Sequence, residues 1–197
     1  MRIGFDIDGV LSNFTIAFTT ILNEINPNCP VLSDNTKVFD WDYTKFLPVT
    51  NQQINQAWGV IKNNPYFWSS LETIGNLNPV IEFVNKNSYK HDFYFITNRP
   101  NTGGISSIYQ TINWLRSRRI QDPQVIETNK KGTAAKLLRL DYYIDDKVEN
   151  CNDVAIDNPK CKVYCVDYPF NKHTSWDIIR VASVIDYVEQ IKKELER

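Results

Sequence analysis

The sequence predicts an α/β protein: a parallel sheet with helices on both faces, and a small, mainly helical insertion after its first strand. Three observations carry this. Short apolar runs such as Phe93–Ile96, Tyr142–Ile144 and Val163–Val166 read as buried strands. Segments with apolar residues at helical spacing alternate with them, which implies right-handed βαβ units. From residue 14 to residue 78 the alternation stops, so this stretch reads as the insertion. The expected division is therefore a core of residues 1–13 and 79–197 and a cap of residues 14–78. The 197 residues suffice for such a domain and can bury ~70% of the unfolded surface without disulfides or a structural metal.

In order along the chain, residues 2–7 form a strand ending at the turn signal Asp8-Gly9. Phe14, Ala17, Phe18, Ile21, Leu22 and Ile25 recur at helical spacing, with Ser12 or Asn13 as N-cap. Residues 26–49, with Pro27, Pro30 and Pro48, read as irregular. Thr50 and Gln53 suit a capping box for a helix through Ile54, Ala57, Trp58 and Ile61. Pro79 fits the first position of a helix capped by Asn78. After the strand at 93–96, Ile105, Ile108, Ile112 and Leu115 mark a helix, Gln124–Ile126 a short strand and Lys131–Arg139 a helix. Strands at 142–144 and 163–166 follow. A last helix is read through Ile178, Ile179, Ala182, Ile185, Val188, Ile191 and Leu195.

With 42% hydrophobic and 23% charged residues, the chain is neither disordered nor fibrous. A formal charge of −1 argues against a protein that grips nucleic acid through bulk electrostatics. No apolar run reaches the ~18 residues of a membrane span, and Arg2–Asp8 does not read as a signal peptide. Cys29, Cys151, Cys161 and Cys165 form no C-x-x-C pair and read as buried thiols, pointing to a cytoplasmic, reducing location. His91 and His173 show no metal spacing and receive no role. The run Arg116, Arg118 and Arg119 reads as helix-dipole complementation.

Ligands of open α/β sheets lie beyond the carboxyl ends of the strands. The polar residues falling there are Asp6 and Asp8, Thr97-Asn98-Arg99, and Asp145-Asp146-Lys147. Hydrolysis of a phosphate monoester calls for such a set. One carboxylate can serve as nucleophile and a second as acid and then base. The charge of the moving phosphoryl group is met by a hard cation, an ammonium and hydrogen-bond donors. Taken singly, each residue has a plainer reading: Asp-x-Asp-Gly is often only a turn, Asp145-Asp146 a solvated loop, Thr97 the end of a strand. Asp-x-Asp-Gly is also similar to the start of a calcium loop, but Gly9 comes too early and the later ligands are missing.

Four segments in order resemble the motifs of the haloacid dehalogenase-like phosphatases. They are Phe5-Asp6-Ile7-Asp8-Gly9-Val10, Ile96-Thr97-Asn98, Lys131-Gly132-Thr133 through Leu137, and Asp141-Tyr142-Tyr143-Ile144-Asp145-Asp146-Lys147. The resemblance implies a Rossmann-like fold and an aspartyl-phosphate mechanism. In it Asp6 is the nucleophile, Asp8 the general acid/base, Thr97 a donor to the phosphoryl oxygens, and Lys131, rather than Lys130 or Lys136, the pairing ammonium. It implies Mg²⁺ held by Asp6, the Asp8 carbonyl and Asp145, with Asp146 orienting a metal-bound water.

Within that superfamily the chain most resembles the 5′(3′)-deoxyribonucleotidases, through Asp-Gly-Val-Leu followed by Phe14 and through Ile-Asp-Asp-Lys. Phe14, Phe39, Trp41, Tyr43 and Trp58 are then expected to stack a base, or equally to form the core of the cap. Asn98 and Arg99 are expected beside the substrate, Arg99 with the alternative of a loop surface. The substrate implied is a small phosphomonoester, a pyrimidine deoxyribonucleoside monophosphate foremost. A sugar phosphate, a polynucleotide 3′-phosphate and a non-catalytic binding module are the alternatives; a homodimer is left open.

Overall fold

The computed structural model describes residues 1–172 and 177–196; His173, given no role above, lies outside the described residues. Among the described residues, six parallel strands form one sheet: β1 (Arg2–Phe5), β2 (Asp92–Thr97), β3 (Gln124–Glu127), β4 (Tyr142–Asp145), β5 (Lys162–Val166) and β6 (Ile179–Val181). Their order is β3-β2-β1-β4-β5-β6. β1 is central, pairing Ile3 with Phe93 on one side and with Tyr142 on the other. The chain thus reverses its direction of travel across the sheet at β1, which opens a crevice at its carboxyl end.

The two faces follow the period-two alternation of the strands. Phe5, Phe93, Phe95, Ile144 and Tyr164 join one apolar cluster. Ile96, Tyr143, Val163 and Cys165 join another. The first is covered by α4 (Asn78–Asn87), α5 (Ser107–Ser117) and α8 (Val184–Leu195), where Tyr187 meets the Phe5 ring edge-on at 5.3 Å. The second is covered by α6 (Lys131–Leu138) and α7 (Val148–Asp157). At the crossing of α6 and α7, a Cβ on Gly132 would run into the carbonyl oxygen of Asp153, so only glycine lets the two helices approach there.

Between β1 and α4 lie α1 (Phe14–Ile25), α2 (Asn51–Asn63) and the single turn α3 (Phe67–Ser70), with 3-10 turns at Asn35–Lys37 and Tyr43–Lys45. Asn13 caps α1 through the amide of Ile16 at 3.2 Å, and Thr50 and Gln53 form the expected capping box of α2. Phe18, Leu22, Ala57 and Ile61 of this segment share one buried cluster with β1.

The structure departs from the sequence reading in definite places. β1 stops at Phe5 because the Ile7 carbonyl is taken by the amides of Leu11 and Ser12, each at 2.8 Å, which turns the chain. α4 begins at Asn78, with Leu77 at its N-cap and the Asn76 side chain receiving the Asn78 amide. The last helix begins only at Val184; Ile179–Val181 is β6, and Ser183 caps the helix through Asp186. α5 turns Ser107, Gln110, Thr111, Trp114 and Leu115 inward while Ile108 is exposed, because its polar side chains bind loop groups. Arg116 does lie in the last turn of α5. Arg118 does more than complement that helix end: it stacks on Trp114 and donates to the Leu71 carbonyl. α3, α7 and β6 were not anticipated, although Val148, Cys151 and Val154 of α7 carry a three-residue apolar spacing. All four cysteines are buried and unpaired.

Gly132→Ala should destabilise the fold by about 1–3 kcal/mol through overpacking against α7, despite the better helix propensity of alanine. Denaturant unfolding checks this; an unchanged midpoint would mean that α7 yields freely.

Candidate active site

Asp6 follows β1 and continues its ladder, its amide bonding the Ile144 carbonyl at 2.9 Å. Phe5 points to the face of α8, so Asp6 points to the face of α6 and α7. There Lys131, at the first position of α6, drives its buried ammonium between Asp6 and Asp145, pairing with Asp6 and lying 2.8 Å from Asp145. Lys130 and Lys136 are exposed.

Asp145 ends β4 on the same face as Tyr143, two residues earlier, whose hydroxyl donates to it at 2.5 Å. Asn150 on α7 donates to both its oxygens, at 3.0 and 3.2 Å, and the Lys147 amide donates at 2.8 Å. Its oxygens are thus fully engaged by donors. Asp146 differs: it is buried, and its Oδ2 has no hydrogen-bond partner. Gly9, with φ +88°, makes room for it, since a Cβ there would strike that oxygen. Asp6, Asp145 and Asp146 each offer an oxygen within 4.8 Å of the others.

The charge is unbalanced. Burial, then the charge of Asp145, push the Asp6 carboxyl up to about 8 against the pull of Lys131. Burial with Asp145 and Asp6 likewise pushes Asp146 well above the carboxylate range. Burial disfavours charge on Lys131, but Asp145 and Asp6 outweigh it and raise the ammonium. Asp8 goes the other way. Burial opposes its charge, yet the Arg99 guanidinium, its hydrogen bonds and the Ser12 hydroxyl hold the carboxyl below the usual range.

Above this cluster is a cavity of about 290 Å³, the size of a small-molecule site. Of the residues singled out from sequence, Asp6, Asp8, Phe14, Trp41, Tyr43, Trp58, Thr97, Asn98, Lys131 and Asp146 line it. Asp145 lies beneath it, fully buried. Two predicted substrate contacts fall elsewhere. Phe39 is 64% exposed, packs edge-on against Phe46 and faces an adjoining hollow with Asp40 and Phe170. Arg99 is neither a cavity wall nor a loop ornament: it is 2% exposed and bound to Asp8. It points inward because Asp8 and Ser12 on one side and Thr111 on the other take its donors.

Lys147, placed by the sequence at the end of the same strand as Asp145, also lines the cavity; sequence reasoning missed Phe18, Ile54, Trp68, Pro100, Asn129 and Asn150, which line it too. A helical reading of 148–157 would have placed Asn150 at the carboxyl end of β4; Trp68 carried no local signal. The aromatics both pack on one another and wall the cavity: Phe14 lies 5.8 Å from Trp58 and 6.0 Å from Trp68, and Phe18 lies 5.1 Å from Tyr43.

Residues 1–195 match the family model described as 5′ nucleotidase, deoxy (Pyrimidine), cytosolic type C protein. A candidate nucleotidase of Oceanobacillus iheyensis is 25% identical over 201 residues, covering 99% of this chain and 100% of that protein. Among solved structures, a haloacid dehalogenase-like hydrolase candidate of Burkholderia xenovorans superposes with a TM-score of 0.60 at 10% identity, covering 98% of this chain and 97% of that one. The D,D-heptose 1,7-bisphosphate phosphatase of Burkholderia thailandensis does so with a TM-score of 0.53 at 8% identity, covering 97% of each chain. These two likenesses show the fold. Among the described residues no helix is long and apolar enough to cross a membrane.

Proposed function

The chain belongs to the cytosolic type C deoxy (pyrimidine) 5′-nucleotidase family, and on that premise we propose that it hydrolyses pyrimidine deoxyribonucleoside monophosphates through an aspartyl phosphate on Asp6. That it is an enzyme of the nucleotidase and phosphatase class, with a haloacid dehalogenase-like fold, follows from the family and the structural likeness. The observation that carries the finer reading is Asp6 itself. It stands at the floor of an aromatic-walled cavity, gripped by a buried lysine, with a second carboxylate two residues on.

In this reading an Asp6 oxygen attacks phosphorus while the ester bond breaks, and Asp8, ionised at rest beside Arg99, relays the proton of the substrate's phosphate monoanion to the leaving oxygen. Water then attacks the phosphorus of the aspartyl phosphate and Asp8 takes its proton. The bond to Asp6 breaks and phosphate leaves. Lys131 meets the charge on the phosphoryl oxygens and on Asp6. Thr97 and Asn98 offer donors at the mouth of β2.

The residues present fit Mg²⁺. The orphaned Oδ2 of Asp146 and the raised carboxyls of Asp6 and Asp146 are what a hard cation relieves. The fit exchanges the two aspartates relative to the sequence expectation. Asp6, the Asp8 carbonyl and Asp146 would hold the ion, while Asp145, occupied by Lys131, Tyr143 and Asn150, positions the lysine. When bound, the ion supplies positive charge against the phosphoryl oxygens. The core of residues 1–13 and 79–197 would then carry the chemistry and residues 14–78 the substrate's base. A cytoplasmic location agrees with the four reduced thiols.

A phosphate-release screen across nucleoside 5′- and 3′-monophosphates and sugar phosphates tests the substrate, pyrimidine deoxyribonucleotides being expected to lead. Asp6→Asn should abolish turnover while leaving the fold and nucleotide binding intact; residual activity above about 1% of wild type would remove Asp6 from the nucleophile's role. Trp41→Ala should raise KM for nucleotides far more than for an aryl phosphate, since base stacking is worth about 1–3 kcal/mol. Equal effects on both would assign Trp41 to packing alone.

The carboxyls also make metal binding pH-dependent. The metal-free folded cluster keeps a proton on Asp6 up to about pH 8 that the unfolded chain gives up near its ordinary value. Stability without metal therefore falls as pH rises between the two values. Mg²⁺ requires the deprotonated form, so the stabilisation it confers, followed as a rise in Tm, should grow between about pH 6 and about pH 8, towards about 2.7 kcal/mol of free energy at a hundredfold excess over Kd. A rise independent of pH would place the ion elsewhere.

A further inference from the structure

We propose that Arg99 is the positioning residue for Asp8: its guanidinium fork fixes the acid/base carboxylate in the one orientation that reaches the leaving oxygen. The inference rests on the reading of Asp8 as acid and base. Arg99 Nε donates to Asp8 Oδ2 at 2.8 Å and Nη2 to Asp8 Oδ1 at 2.7 Å, a two-pronged pair that sets both oxygens at once. Among the described residues no other side chain engages both of its oxygens. Ser12 donates to Oδ1 at 2.6 Å, while Thr97 is 3.5 Å from Oδ2.

The fork is itself fixed from three directions. Nη1 donates to the Thr111 hydroxyl of α5 at 3.0 Å, and that hydroxyl donates in turn to the Ser107 carbonyl at 2.8 Å. Nη2 also donates to Ser12 at 3.1 Å. Trp68 stacks on the guanidinium, 5.0 Å from its ring centre, and is pinned by its indole N–H to the Pro100 carbonyl at 2.9 Å. The Arg99 side chain has no exposed surface, whereas that of Asp8 keeps 23%. The arginine is thus the fixed member of the pair and the aspartate the member that faces the substrate. A lysine has one ammonium and no planar fork, so it would keep the charge and lose the orientation.

Acid catalysis matters when the leaving oxygen is a poor leaving group and hardly matters when it is a nitrophenolate, so the two substrates separate positioning from structural support. Arg99→Lys should lower kcat/KM for a pyrimidine deoxyribonucleoside monophosphate by about 30-fold or more, general acids being worth about 10²–10⁴. For 4-nitrophenyl phosphate the loss should stay within about threefold. Thr111→Val, which keeps the fork and loosens its support, should show the same split at smaller size and serves if Arg99→Lys does not fold. In an Asp8→Asn background, Arg99→Lys should add little, because the residue it positions is already lost.

Equal losses on both substrates, a gain on the nucleotide, or an undiminished effect in the Asp8→Asn background would overturn the proposal and leave Arg99 as a structural ion pair. Absence of any phosphate release by the wild-type protein would instead overturn the phosphatase reading, and this inference with it.

Discussion

Four carboxylates and two cations share the carboxyl edge of the sheet, largely out of water: Asp6, Asp8, Asp145 and Asp146 against Lys131 and Arg99. The formal sum is 2 − 4 = −2, and the rest of the site answers to that imbalance. Like charges in a medium of low polarity cannot all stay ionised unless something offsets them. Each cation is spent on particular partners, Lys131 on Asp6 and Asp145, Arg99 on Asp8. Asp146 is left over, and its carboxyl is driven up accordingly. A divalent cation would cancel the remainder.

The fold brings these groups together through alternation and close approach. β1 is central, so the loop after it faces the ends of both β2 and β4. Residues of one face of β1 and β4 point to α6 and α7, which is why Asp6 and Asp145 meet the first residue of α6 and Tyr143 meets Asp145. Two glycines set the spacing. Gly132 lets α6 come down on α7 behind Lys131, and Gly9 lets Asp146 approach the turn after β1. Both are places where one added carbon would push a charged group out of register.

Much of this was legible in the sequence because it is local. The capping box at Thr50 and Gln53 is a four-residue signal, and the strand ends are marked by polar residues following apolar runs. The sheet core was legible for the same reason. What stayed hidden depends on contacts across the chain. Ile178 and Ile179 fit a helical spacing, and only pairing with β5 makes a strand of Ile179–Val181. Arg99 is an ordinary loop arginine until Thr111, Trp68 and Asp8 surround it. The proposed order of duties between Asp145 and Asp146 is intermediate. Strand alternation puts Asp145 on the side of Tyr143, but only if the strand is carried one residue further than its apolar run.

The aromatics pose the opposite problem, since sequence offered two readings that the structure makes compatible. Phe14 stacks on Phe18, Trp58 and Trp68 and still faces the cavity. A ring held edge and face by its neighbours has lost its rotamer freedom before any ligand arrives, so a base placed against it would cost little further ordering. Trp68 carries this a step further: one part lines the cavity and one face lies on Arg99, which grips Asp8. Packing among residues 14–78 is therefore continuous with the orientation of Asp8, the carboxylate proposed as acid and base. In the proposed mechanism, recognition of the group being released and delivery of its proton would be borne by a single chain of contacts, from Phe14 through Trp68 and Arg99 to Asp8.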